Sequence, residues 1–160
     1  MSATQQIVDR LQRLSDESGC RLTAAPSATQ QWLREDSRLP PELVDILSES
    51  WPSEDVSLGG YELWSLDHRS DSERAKIAFK GGYFLIGSAG NGDLLVVQRH
   101  PDAIEECEIG LISHEEMWDK GSALGSVYVP ICRGFTTLLD AAEADRLPLD
   151  FYDARQKHNA

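Results

Sequence analysis

Basic residues are scarce in this chain. Lysine and arginine total 15 against 27 aspartates and glutamates, a formal net charge of −12 over 160 residues. That deficit opposes nucleic acid and anionic lipid as direct partners, because both need a cationic face. It favours a basic partner, since opposed fields speed encounter and penalise wrong pairings. A solvated surface kept acidic for solubility carries the same charge. Cysteine is scarce too. Cys20, Cys107 and Cys132 are an odd number at wide spacings, which excludes a disulfide framework and a zinc pattern. A reducing, cytoplasmic setting is expected. No apolar run approaches the ~20 residues of a membrane span. The opening Met1-Ser2-Ala3-Thr4-Gln5-Gln6 has neither a basic nor an apolar signal region, so no signal peptide is expected. Histidines 68, 100, 114 and 158 are scattered without ligand spacing, so neither metal nor cofactor is expected.

The strongest local signal runs from Tyr83 to Val97. Two apolar runs flank Gly90-Asn91-Gly92-Asp93. Asn-Gly tolerates the positive φ that a tight I′ hairpin turn needs at both central positions. A two-residue Asn91-Gly92 loop pairs Gly90 with Asp93, Ile86 with Val97 and Gly87 with Val96. A four-residue loop would move that register. Either way both faces of the ribbon are apolar, which predicts a central ribbon covered on both sides.

Around it, spacing predicts helices over 4–18, 27–37, 41–50 and 134–145. The first has only the narrow stripe Ile7, Leu11 and Leu14, with Gly19 as C-cap, and is expected to be peripheral. Ser27 and Gln30 have the spacing of a capping box. Pro41 suits a first helical turn, and Trp51-Pro52 stops that helix. Extended segments are expected at 56–58, 61–66, 106–112, with a bulge at Gly110, and 127–131, where Pro130 argues for a sheet edge. Residues 67–74 read as a charged loop and 75–80 as strand or helical turn. A short helical turn is expected at 113–118 and a loop at 120–125. Residues 149–160 read as a loose polar tail. The sum is one α+β domain over 1–160. Its core spans about 27–147, with a central antiparallel sheet of about five or six strands, N-terminal helices and one C-terminal helix.

Three chemistries can be weighed against these residues. Gly87-Ser88-Ala89-Gly90-Asn91-Gly92-Asp93 superficially invites a phosphate loop. It lacks the lysine and the following helix N-terminus, and Asp93 repels phosphate. A small hydrolase could use Cys132 or Cys107 with His114, but no local signature accompanies them. Cys107 alternates with Glu106 and Glu108 and reads as a core thiol. Trp32, Trp51, Trp64 and Trp118 read as packing residues. Trp64 is the one best placed for an interface, because Asp67, Asp71 and Glu73 follow it.

In order along the chain, these features resemble the SUKH superfamily, in its Smi/Knr-type branch of cell-wall-assembly regulators and bacterial immunity proteins. The resemblance is carried by Trp32-Leu33-Arg34-Glu35, the Leu39-Pro40 break and Ile86-Gly87-Ser88-Ala89-Gly90-Asn91-Gly92-Asp93. It continues through Ile109-Gly110-Leu111-Ile112 with His114, and closes on Phe135 and Leu138-Leu139. It spans roughly residues 27–145, and the segment from Ile86 to Asp93 is its most specific part. Trp51-Pro52 stands where the family has a helix-ending Asn-Gly, and the helix over 4–18 is additional.

The resemblance implies a non-enzymatic binding module. Many bacterial relatives bind and block a cognate toxin, often a nuclease. The expectation is therefore an acidic immunity protein that neutralises a basic toxin domain by occlusion. The alternative is a cell-envelope regulatory or scaffolding adaptor. The partner-binding candidates are Trp64, Asp67, Asp71, Glu73, Glu105, Glu106 and Glu108. Gly87, Gly90, Asn91, Gly92 and Asp93 are expected to hold the hairpin rather than touch a partner.

Overall fold

The computed structural model describes residues 2–119 and 121–159. Helix α1 (Ala3–Glu17) starts at Ser2, whose hydroxyl accepts the Gln5 N–H. It ends at Gly19, φ +76°, with Gly19 N donating to Asp16 O and Cys20 N to Ser15 O. This is the paired C-terminal closure that a left-handed residue permits. The helix is not peripheral. Ile7 and Leu11 are fully buried, and Arg10 reaches Asp140 at 2.6 Å and Glu143 at 3.0 Å. A narrow stripe suffices when each of its residues lands in a cleft of the core.

Strand β1 (Leu22–Thr23) pairs antiparallel with β2 (Trp51–Pro52), and between them lie α2 (Ser27–Asp36) and α3 (Pro41–Glu49). The capping box expected at Ser27 does not form. Pro26 is the N-cap, and the Gln30 amide instead donates to Ala25 O and to Ser48 O at the end of α3.

The main sheet is antiparallel, and each strand pairs with the next in sequence. Its strands are β3 (Val56–Leu58), β4 (Tyr61–Leu63), β5 (Tyr83–Ser88), β6 (Leu94–Gln98), β7 (Glu108–Ile112) and β8 (Tyr128–Arg133). The α+β class and the six-stranded antiparallel sheet agree with the sequence expectation. Both faces are covered. Phe84, Ile86, Leu95, Val97, Ile109 and Leu111 meet the helices α1 to α3, α6 (Phe135–Glu143) and α7 (Phe151–His158). Tyr83, Leu85, Leu94, Val96 and Ile112 meet Ala75, Ala78, Met117, Leu124 and Val127 on the other side. Pro130 sits on the edge strand β8, where a missing N–H costs no ladder bond. A register shift lies between Ile109 and Gly110.

The hairpin differs in its turn. Its loop is Gly90-Asn91-Gly92, closed by Ala89 N to Asp93 O at 2.8 Å and Gly92 N to Ala89 O at 3.0 Å. Gly92 takes φ +96° and Asn91 does not have positive φ, so the I′ geometry is not met. Ser88 pairs with Leu94 and Gly87 with Leu95. A bulge at Ile86 then puts Leu85 opposite Val96 and Phe84 opposite Val97.

Between β4 and β5 the expected loop over 67–74 is helical. Ser65 accepts the His68 N–H and starts α4 (Leu66–Ser70), which ends the strand at Leu63. Ser72 accepts the Ala75 N–H and starts α5 (Glu73–Lys80). The turn expected at 113–118 closes as a 3₁₀ turn over Met117–Asp119, and further 3₁₀ turns cover Gly121–Val127, broken by a kink at Ala123. Lys120, part of the expected loop, lies outside the described residues. The tail is also ordered into α7. Asp150 caps it, and Phe151 and Ala154 are buried. Among the described residues no helix is long and apolar enough to cross a membrane.

Candidate functional site

Asp93 ends the hairpin loop and is fully buried. One carboxylate oxygen accepts the His114 backbone N–H at 3.0 Å and meets His114 Nδ1 at 2.6 Å. The other accepts Phe151 N–H at 2.8 Å and the Asn91 amide at 3.0 Å. An ionised carboxylate only accepts, so the His114 proton sits on Nδ1. Burial works against the charge of Asp93, but the Phe151 and His114 N–H groups, the His114 ring and the Asn91 amide outweigh it. They hold its pKa below the usual carboxylate value. Phe151 opens α7, so the carboxylate also sits where a helix N-terminus favours an anion. Asp93 thus ties the hairpin, the turn after β7 and the last helix together. Gly87 lies where β5 passes β4, and a side chain there would overlap the Glu62 carbonyl. Gly90 and Asn91 are exposed parts of the loop.

The seven partner-binding candidates do not form one surface. Glu105 caps α6, accepting Thr136 N at 3.3 Å and Thr136 Oγ1 at 2.8 Å. Glu108 accepts the Tyr128 hydroxyl at 2.9 Å and lies 3.4 Å from an Arg133 nitrogen. Helix α6 packs on one face of the sheet and Tyr128 on the other, so these two carboxylates look to opposite sides. Glu106 is exposed between them. Asp71 is exposed at the end of α4, and Glu73 takes the Lys76 ammonium at 3.1 Å.

Trp64 and Asp67 belong to a different arrangement, at the corner where β4 turns into α4. The Trp64 ring stacks on His68 with centroids 3.7 Å apart, and its Nε1 donates to Ser88 Oγ at 3.2 Å. His68 Nδ1 lies 2.7 Å from one oxygen of Asp55, whose other oxygen accepts the Ser65 N–H at 2.8 Å. Glu62, on β4, leans on the same carboxylate. Its burial, then the charge of Asp55 and a hydrogen bond between the two acids, push its pKa up, while His68 opposes them. Asp67 follows in the first turn of α4, beside Pro52 and Ser53. Asp55, Glu62 and His68 each offer one ligand atom, and these lie within 4.8 Å of one another. Two carboxylate oxygens and an imidazole nitrogen suit a divalent cation, and they equally suit a lysine or arginine head.

Asp55, Glu62 and His68 were not among the sequence candidates. Their meeting depends on the β3–β4 register, which pairs Val56 with Leu63 and Ser57 with Glu62, and on Ser65 starting a helix. The one legible signal was Ser65 ahead of Leu66-Asp67-His68, an N-cap followed by an acid in the first turn.

The sulfur-based alternative meets two thiols whose pKa is raised. Cys107 is buried, with its pKa pushed up to about 11 by burial and then by Glu105. Cys132 is pushed up to about 12 by burial and then by Cys107. A nucleophilic thiol needs its pKa lowered. The chain matches no family model, no curated protein and no solved structure.

Proposed function

We propose that this chain is a SUKH-type protein-binding module, an immunity protein that neutralises a basic toxin domain by occlusion, and that the β4–α4 corner is where the partner docks. The observation that carries the reading is the Asp55–Glu62 pair. Two carboxylates held against each other, with the Ser65 N–H and His68 both on Asp55, are an unfavourable arrangement that an incoming cation relieves. A lysine or arginine from a partner gains a charge-assisted bond and removes the repulsion at the same time. Trp64 supplies an aromatic wall, and Asp67 adds a negative charge in the first turn of α4, next in sequence to His68. The net charge of −12 adds long-range attraction toward the same kind of partner. Nuclease active sites are cationic, so an acidic plug complements them.

The test has two arms. Co-expression with the captured partner reads growth: rescue by the wild type, lost in the double variant Asp55→Asn with Glu62→Gln, supports immunity. A partner that is harmless when expressed alone points instead to the cell-envelope adaptor. Binding that is indifferent to both substitutions removes the corner from the account.

A further inference from the structure

A groove of about 610 Å³ runs between α2 and the α4–α5 pair, over strand β5. Its apolar lining includes Trp32, Leu66, Ile77, Phe79 and Phe84. The Trp32 and Phe79 rings lie 5.1 Å apart, and Trp32 and Phe84 6.3 Å apart. Arg69 also lines it. The guanidinium carbon sits 3.8 Å from the Phe84 centroid, and Nε donates to Leu85 O at 3.1 Å. The two terminal nitrogens have no acceptor among the described residues, and no carboxylate there pairs with them. Arg99, stacked on Phe79 at 3.5 Å, differs. Each of its three guanidinium nitrogens donates to a carbonyl, of Ser37, Phe79 and Asp36.

A half-buried guanidinium without a counter-charge is costly in any protein. It is more telling in one that carries 12 surplus negative charges. Lys76 and Lys80 stand at the same groove, and its one carboxylate, Glu73, already holds Lys76. The groove is thus a cationic, aromatic-walled pocket on an acidic protein. Burial, and then the charge of Arg99, lower the pKa of Arg69 to about 10, which leaves it charged at neutral pH.

We infer that this groove binds a small organic anion, an aromatic carboxylate whose ring lies against the half-buried Trp32 and Phe79 while its carboxylate takes the two free nitrogens of Arg69. The volume lies in the range of small-ligand sites, with an apolar lining and one convergent polar group. Two parallel N–H groups match a carboxylate bidentately, and an isosteric neutral amide cannot repeat that match. The groove is built from different residues than the Asp55–Glu62 corner and asks for a ligand of opposite charge, so the two readings stand or fall separately.

The probes are 2-naphthoate and its neutral isostere 2-naphthamide, titrated into the full chain at pH 7 by calorimetry. Two-dimensional NMR then locates the shifts. The naphthoate is expected to bind about tenfold or more tightly than the amide, with shifts centred on Trp32, Arg69 and Phe79. Arg69→Gln is expected to abolish that preference while leaving amide binding in place. Equal affinities in the wild type, no naphthoate binding up to about 10 mM, or shifts elsewhere overturn the inference. The wild-type comparison decides the matter even if Arg69→Gln fails to fold.

Discussion

The Asp93 carboxylate meets the His114 ring at 2.6 Å, and its other oxygen takes the Phe151 N–H at 2.8 Å. One buried side chain therefore bridges the hairpin, the segment after β7 and the start of α7. Asp93→Asn keeps the shape, removes the charge and turns an amide toward groups that donate. A loss of about 3 kcal/mol is expected, because buried donors are left without an acceptor. Urea unfolding measures it. Hydrogen exchange should show α7 and residues 113–116 opening first.

The same contact has a pH signature. The folded pKa of Asp93 is lowered, so its contribution is complete above the unfolded carboxyl value near 4. It is lost as pH falls through the lower folded value. The stability gap between wild type and Asp93→Asn should be full at pH 7 and shrink steadily below about pH 4. Unfolding curves at a series of pH values check this. A gap that persists unchanged in acid would show that charge is not what Asp93 contributes.

Glu62 runs the opposite way. Its pKa is raised by burial and by Asp55, so its ionisation opposes folding. Glu62→Gln should leave stability unchanged or raise it by up to about 0.5 kcal/mol at pH 7. Any gain should fade as pH falls below the carboxyl range, where the wild-type acid is protonated. The same variant should lose partner affinity. A substitution that costs binding while sparing the fold marks a site kept for function.

Gly87 carries no side chain for a steric reason. A methyl group there overlaps the Glu62 carbonyl on β4. Gly87→Ala should cost about 3 kcal/mol or more, because backbone in a paired strand cannot move aside as a side chain can. Thermal unfolding measures the loss. The affected strand is β4, so the Asp55–Glu62 corner should loosen with it.

Helix α1 is expected to matter for stability. Leu11 is fully buried, and Leu11→Ala should cost about 2–4 kcal/mol. A loss under about 0.5 kcal/mol would mean that the helix does not dock in solution.

Much of this fold is readable in the residues. Pro130 announces the sheet edge, and the apolar pairs at 84–86 and 94–97 announce a ribbon covered on both faces. The misreadings have local causes. Ile7 and Leu11 look too few to bury a helix, because the cleft that receives them is made by distant elements. Ser65 and Ser72 cap two helices in a stretch whose charge reads as loop. Asn91 and Gly92 suggest a two-residue turn, yet the Asn91 side chain donates through Nδ2 to the Asp93 carboxylate and accepts the Asp93 N–H on Oδ1, and of the two only Gly92 adopts positive φ. The candidate site was half visible. Trp64 and Asp67 could be picked from their neighbours in sequence. Asp55, Glu62 and His68 come together only through strand register and a helix cap. Glu105 and Glu108 drew notice as charges, and the fold spends them on a helix end and a tyrosine.

The most direct test of the account is affinity capture from native cells, with the wild type and the Asp55→Asn, Glu62→Gln double variant run side by side. Partners are identified by mass spectrometry, and capture is repeated at rising salt. A basic protein is expected to be held by the wild type, released at high salt, and lost or strongly reduced with the double variant. An acidic or neutral partner, or a basic one retained equally by both forms, would contradict it.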